Sequence, residues 1–249
     1  MSYRRLISAS ALAVGLLFAS DAQAITISGS SGGAFSSLTN CDQSGSDREC
    51  GIVSSSNGAK TRVRWPYKKD GDQISYASTL TAVDTSFSAA GNADDVILAR
   101  LDWFNASTSS SITPALLGVT WTLTVAFTDP GVAMDIEGFS LSILNTTNPA
   151  GDTISGFTLT DLGNLSFDLD GITIDDFQYT IVDGGGTCAG ADTTFSSGVW
   201  FNCEDNTASL LITADFTVDP PPAVNEPSTL ALLFAGFLGM AAMRRRRIA

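Results

Sequence analysis

The sequence predicts an all-β fold, an antiparallel two-sheet sandwich of jelly-roll-like form. Three observations predict it. Apolar and polar residues alternate with a period of two along several short runs, turn-forming residues separate those runs, and outside the two ends no long stretch carries a helical period. Such short strands bury one face each, and two sheets of them close a core between their inner faces. The chain has 249 residues and divides as 1–24, 25–219 and 220–249, of which only the middle section is a folded domain.

The first section carries Arg4 and Arg5, an apolar run over residues 8–18, and then Ala22-Gln23-Ala24. A positive start, a short apolar run and a small-x-small triplet, in that order, predict a secretory signal peptide. Ala22 and Ala24 define its cleavage, after Ala24.

The strands of the middle section follow in order. Lys60-Thr61-Arg62-Val63-Arg64-Trp65-Pro66-Tyr67-Lys68-Lys69 alternates around Val63 and Trp65, and Asp70-Gly71 turns it into a hairpin. Val119, Trp121, Leu123, Val125 and Phe127 alternate with Thr120, Thr122, Thr124 and Ala126, and Asp129-Pro130-Gly131 ends the run. Phe139, Leu141 and Ile143 repeat the pattern up to Asn148-Pro149-Ala150-Gly151. Leu165, Phe167 and Leu169 predict a strand closed by Asp170-Gly171. At Asp175-Asp176 the phase slips between Ile174 and Phe177, which predicts a β-bulge or tight corner. Phe177, Tyr179 and Ile181 resume the alternation, and Leu210, Ile212, Ala214, Phe216 and Val218 close the domain.

Four cysteines lie in this section: Cys41, Cys50, Cys188 and Cys203. They allow three connectivities, of which the sequential pairs Cys41–Cys50 and Cys188–Cys203 are preferred. Each closes a short loop and contributes on the order of 3 kcal/mol in the chain-entropy model. A metal site built from all four cysteines is the sharper alternative, but neither spacing is that of a metal ribbon, and an exported chain folds in an oxidising compartment.

The last section begins with Pro220, Pro221 and Pro222, a stiff spacer that cannot continue a strand. Asn225-Glu226-Pro227-Ser228-Thr229 follows, then an apolar run to Met243, then Arg244, Arg245, Arg246 and Arg247. A transmembrane helix is expected over 228–243. It would rise about 24 Å, short of a ~30 Å hydrocarbon core, with the arginines on the cytoplasmic side.

The order of these last parts resembles the PEP-CTERM sorting tail of Gram-negative bacteria. Asn225 stands where that family usually has proline, while Glu226 and Pro227 match it. The resemblance implies a chain held transiently in the inner membrane. There an exosortase-type enzyme would read Glu226, Pro227 and Ser228 together with the four arginines, before release to the cell surface or extracellular matrix. A second resemblance covers the middle section. Leu101-Asp102-Trp103-Phe104-Asn105, Asn145-Thr146-Thr147-Asn148 with Asp152, and the segment from Glu204 through Asp205, Asn206, Thr207, Ala208 and Ser209 to Leu210 are similar to the THxN-type, or choice-of-anchor K, ectodomains. Of the THxN signature only Asn105 is matched, Asp102 and Trp103 replacing the Thr and His. That family implies a non-catalytic surface module.

Composition narrows the chemistry. The chain has no histidine, which removes Ser-His-Asp and Cys-His catalysis and every His-ligated zinc or haem site. Its formal net charge is −13, which argues against nucleic acid as a partner. Four carboxylate pairs are candidates for glycoside hydrolysis: Asp94/Asp95, Asp135/Glu137, Asp168/Asp170 and Asp175/Asp176. So acidic a composition produces such pairs without any catalytic purpose, and hydrolysis ranks last. No catalytic, cofactor-binding or metal-binding residue is assigned. The oxygen-rich turns Asn92-Ala93-Asp94-Asp95 and Asp168-Leu169-Asp170-Gly171 are where a structural Ca²⁺ would sit. Trp65, Trp103 and Trp200 with Tyr67 are candidate platforms for sugar rings, whereas Trp121 reads as core. The basic run from Lys60 to Lys69 is the sole positive patch, suited to an acidic polysaccharide or an acidic neighbour. The expected function is therefore an exported, non-catalytic surface or matrix protein sorted by its tail through the secretion machinery. The alternative is an exopolysaccharide-binding module.

Overall fold

The computed structural model describes residues 25–40, 49–54, 60–70, 73–75, 77–107, 115–146, 150–183, 187–188, 191–219 and 236–237. Its strands are β1 (Thr26–Thr39), β2 (Glu49–Val53), β3 (Arg62–Asp70), β4 (Gln73–Ser75), β5 (Ser78–Val83), β6 (Thr85–Ala90), β7 (Ala93–Asn105) and β8 (Ala115–Asp129). The second half continues with β9 (Ala133–Asn145), β10 (Asp152–Ser155), β11 (Ile172–Asp183), β12 (Thr187–Cys188), β13 (Ala191–Asp192), β14 (Thr194–Ser196), β15 (Val199–Asn202) and β16 (Asn206–Val218). One helical turn, α1 (Leu159–Leu162), interrupts them.

Apart from β12 and β13, which pair only with each other, these strands form an antiparallel two-sheet sandwich. The first sheet runs β14-β15-β10-β9-β8-β1-β6 and the second β11-β16-β7-β5-β3-β2, with β4 paired to β3 outside that path. The strand order departs from the jelly-roll-like expectation. β8, β9 and β10 follow one another as a meander within one sheet, whereas a jelly roll passes between sheets there.

The core lies where the alternation places it. Val119, Trp121, Leu123, Val125 and Phe127 of β8 all point inward and are buried. Phe139, Leu141 and Ile143 of β9 lie beside them, and Leu210, Ile212, Ala214 and Phe216 of β16 face them from the other sheet. Trp121 stacks on Phe139 at 4.9 Å, and Phe127 meets Phe216 at 5.9 Å. The expected bulge is present: the β11–β16 register shifts between Asp175 and Gln178, and Asp176 takes φ 48°.

Two further expectations are corrected. The segment of Leu165, Phe167 and Leu169 is not a strand. Its alternation is real, since Leu165 and Leu169 are buried and Phe167 meets Phe127 at 4.8 Å. It has no ladder partner among the described residues, and Asp135 holds it instead by accepting from the Ser166 N–H at 2.8 Å. A single apolar row is enough to seat a segment on the core without a neighbouring strand.

The second correction concerns the tail. Among the described residues no helix is long and apolar enough to cross a membrane. Of the segment 228–243 only Gly236 and Phe237 are described, as two helical residues with Phe237 exposed. The transmembrane sorting helix is therefore not carried forward. With it go the exosortase-type partner, the transient inner-membrane stage and the sorting function that depended on it. Glu226, Pro227, Ser228, Arg244, Arg245, Arg246 and Arg247 lie outside the described residues, as do Ala22 and Ala24.

Candidate functional site

At one edge of the sandwich β11, the last strand of the second sheet, faces β14, the last strand of the first. Between them opens a cleft of about 570 Å³, lined by Phe157, Thr158, Leu159, Asp176, Phe177, Gln178, Tyr179, Phe195, Ser197 and Gly198. That volume is in the range of small-ligand sites, roughly 300–1,000 Å³.

Local sequence builds each wall. Ser197 and Gly198 form the two-residue turn of the β14–β15 hairpin, with φ 51° and 77°. Positive φ at both central positions is the type I′ hairpin geometry. A Cβ at Gly198 would collide with the Phe157 carbonyl oxygen, so the hairpin tip sits directly on Phe157, whose N–H donates to the Gly198 carbonyl at 3.3 Å. Thr158 then caps α1, its hydroxyl accepting from the Asp161 N–H at 3.1 Å. The bulge at Asp175–Asp176 swings Phe177 and Tyr179 of β11 into the opposite wall.

Three rings meet at the base. Tyr179 and Phe195 lie 5.0 Å apart, Phe157 and Tyr179 5.8 Å, and Phe157 and Phe195 6.1 Å. Phe157 is buried, while Phe177, Tyr179 and Phe195 are half-buried and line the opening. The Tyr179 hydroxyl donates to the Thr158 carbonyl at 3.1 Å, which fixes the ring. Burial, and secondarily the Asp161 carboxylate, push the Tyr179 phenol well above its ordinary range, so it stays a neutral donor. At the rim the Gln178 amide donates to the Asp176 carboxylate at 2.6 Å. Apolar ring faces below a hydrogen-bonded amide–carboxylate pair can hold a molecule with an apolar face and hydroxyl edges.

A second polar cluster is buried at the pole of the sandwich. Asn202 is its hub: its amide donates to the carbonyls of Trp103 and Asn206, both at 3.2 Å. Its side-chain oxygen accepts from Asn206 at 2.9 Å and from Thr193 at 3.2 Å, and its carbonyl accepts from Asn105 at 3.0 Å. Asn105 accepts in turn from Ser78 at 3.2 Å. Asp152, fully buried nearby on β10, accepts from the Thr146 N–H at 2.7 Å. Burial raises the Asp152 carboxyl to about 6. Thr146 and the Trp65 indole oppose that rise. The Trp65 N–H and Asp152 Oδ2 have no hydrogen-bond partner among the described residues. Asn105 and Asn206, from two of the three segments that carried the second resemblance, meet in this network, and Asp152, from the third, pairs with Asn202 across the β10–β15 ladder.

The other sequence candidates are placed as follows. Trp65, Trp103 and Trp200 are core residues at 0% exposure, so they are not sugar platforms. Trp103 packs 6.3 Å from Trp65 and 5.1 Å from Trp200. The side chain of Tyr67 lies outside the described residues. Asp168 and Asp170 lie on the segment without a ladder partner, and Asp135 is engaged by Ser166. Asn92 caps β16, accepting from the Val218 N–H at 2.7 Å, and the Asp95 N–H donates to Asp215. Among the described residues no group of three or more carboxylates or cysteines is arranged to hold a metal. Cys50 and Cys203 are disulfide-bonded, whereas Cys41 and the side chain of Cys188 lie outside the described residues.

Sequence reasoning read Tyr179 as one more alternating residue and missed Phe157, Phe195 and Gln178. The one local signal was Ser197-Gly198, a hairpin dipeptide between aromatic residues. No family model, curated protein or solved structure matches this chain.

Proposed function

We propose that this chain is a non-catalytic carbohydrate-binding module whose ligand is an exopolysaccharide segment held in the cleft between β11 and β14. The observation that carries this reading is the combination of half-buried rings with the Gln178–Asp176 pair in one opening of about 570 Å³. Sugar rings present C–H faces to aromatic side chains and hydroxyls to amides and carboxylates, so the two halves of the cleft match the two chemistries of the ligand. Positive φ at the non-glycine residues Asp176 and Ser197 places backbone of higher energy beside this opening.

Titration of a panel of neutral polysaccharides tests the proposal, with tryptophan fluorescence as readout. Trp200 lies 6.4 Å from Phe157, at the base of the cleft. A polysaccharide that binds should lose about 5–10-fold in affinity on Gln178→Ala, the loss of about one hydrogen bond. Binding by no member of the panel, or unchanged binding by Gln178→Ala, overturns the assignment.

A further inference from the structure

The outer face of the second sheet carries a different pattern from the cleft. Its cross-strand rungs follow from the register. Arg62 of β3 lies beside Thr81 of β5, then Asp102 of β7 and Ser209 of β16. The next rung is Arg64, Thr79, Phe104 and Thr207. Arg62, Phe104 and Thr207 are exposed and Arg64 is half-exposed.

Residues 25–224 hold 24 acidic and 7 basic side chains. In so acidic a chain a surface arginine is expected to find a carboxylate. Among the described residues, one ion pair exists on this face, Arg100 to Asp102, bidentate at 2.6 and 3.2 Å. Ser209 adds a hydrogen bond to Asp102 at 2.7 Å. That acid is thus fully engaged, and among the described residues neither Arg62 nor Arg64 meets a carboxylate. Arg62 spends one N–H on the Thr81 hydroxyl at 3.2 Å, and Arg64 makes no side-chain hydrogen bond or ion pair within that set. Lys60 lies exposed just before β3 on the same chain segment.

We infer that this face binds a carboxylated polysaccharide, with Arg62 and Arg64 as forks for uronate groups and Phe104 as the platform for a ring. The guanidinium fork fits a planar carboxylate with two parallel hydrogen bonds. The two arginines are two residues apart on one strand, roughly 7 Å, and Phe104 lies two strands over, roughly 10 Å. A flat row of that size fits linked sugar rings lying across the strands, with Thr79, Thr81 and Thr207 offering hydroxyls between the charges. The repulsion that the rest of this acidic chain exerts on a polyanion confines it to this face. The inference goes beyond the cleft and shares no residue with it.

The test is binding of the full chain to polygalacturonate by biolayer interferometry, at low and moderate salt. The wild type should bind polygalacturonate, lose about tenfold or more of that affinity as salt is raised, and ignore neutral dextran on this face. Arg62→Gln/Arg64→Gln should lose about tenfold at low salt and flatten the salt dependence. Arg62→Lys/Arg64→Lys keeps the charge without the fork and should recover only part of that loss. Gln178→Ala should leave this binding unchanged, so failure here and failure of the cleft reading are distinguishable. Melting curves check that the arginine variants remain folded. Four outcomes overturn the inference: no binding to polygalacturonate, unchanged binding by Arg62→Gln/Arg64→Gln, full recovery by the lysine variant, or equal or tighter binding of dextran sulfate or duplex DNA. So does sedimentation showing a wild-type dimer that the glutamine variant loses while polygalacturonate binding persists, since the face then belongs to a second copy.

Discussion

Replacing Asp152 by Asn should make the protein's stability respond to pH in a way that isolates one buried proton. Asp152 is fully buried, and its environment raises the carboxyl from 3.8 to about 6. Burial is the dominant cause, because the ionised form gives up hydration that the Thr146 hydrogen bonds only partly replace. Between those two values the folded chain holds a proton that the unfolded chain has released. Folding is therefore favoured by acid at this site. The contribution is present in full below about 3.8 and is lost as pH rises through about 6. A shift of this size, at about 1.4 kcal/mol for each tenfold change, corresponds to about 3 kcal/mol. The amide of the Asp152→Asn variant would mimic the neutral acid at every pH. Urea denaturation of wild type and Asp152→Asn, in steps from pH 4 to pH 7.5, gives the difference between their unfolding free energies. Other carboxylates cancel in that difference. It should move by about 2.5 kcal/mol in favour of the variant from the acid end to the neutral end. A difference that stays flat, or moves toward the wild type as pH rises, refutes the argument.

Two further outcomes are expected. Gly198→Ala should destabilise the protein by more than about 1 kcal/mol in urea unfolding and weaken cleft binding, because φ is 77° there and the added methyl meets the Phe157 carbonyl. Asn202→Ala should cost about 3 kcal/mol in the same assay, since the Thr193 and Asn206 side chains lose a buried acceptor together and two carbonyls lose a donor.

Strand faces were legible in the sequence because a period of two is a local property. Every inward residue of the Trp121 run is buried, and the phase slip at Asp175-Asp176 marks the bulge. What periodicity does not carry is the ladder. Leu165, Phe167 and Leu169 alternate as a strand does, yet nothing in their spacing says whether a neighbour pairs with them. The same limit explains the tryptophans. An indole on an alternating strand reads alike whether its face meets sugar or core, and Trp65, Trp103 and Trp200 turned inward. The cleft depends on β11 and β14 standing at the edges of different sheets, a juxtaposition set by topology. The buried network ties the Asn105 side chain to the Asn202 carbonyl, 97 positions away in the chain, beyond the reach of any local pattern. The tail was read from the order of its parts alone, and the described residues contain no membrane-crossing helix to support it.

The place of β1 in its sheet has a consequence for how the molecule is made. This first strand does not lie at an edge. It sits between β6 and β8, with Ile27 opposite Ala89 and Gly29 opposite Phe127. A chain synthesised from its N-terminus therefore makes β1 long before either partner exists. The central slot of the first sheet stays incomplete until β8 has emerged, and nothing local can hold β1 in register meanwhile. β1 lacks its full set of partners until β8 has been made, and an unpaired β1 is a surface in need of protection until then.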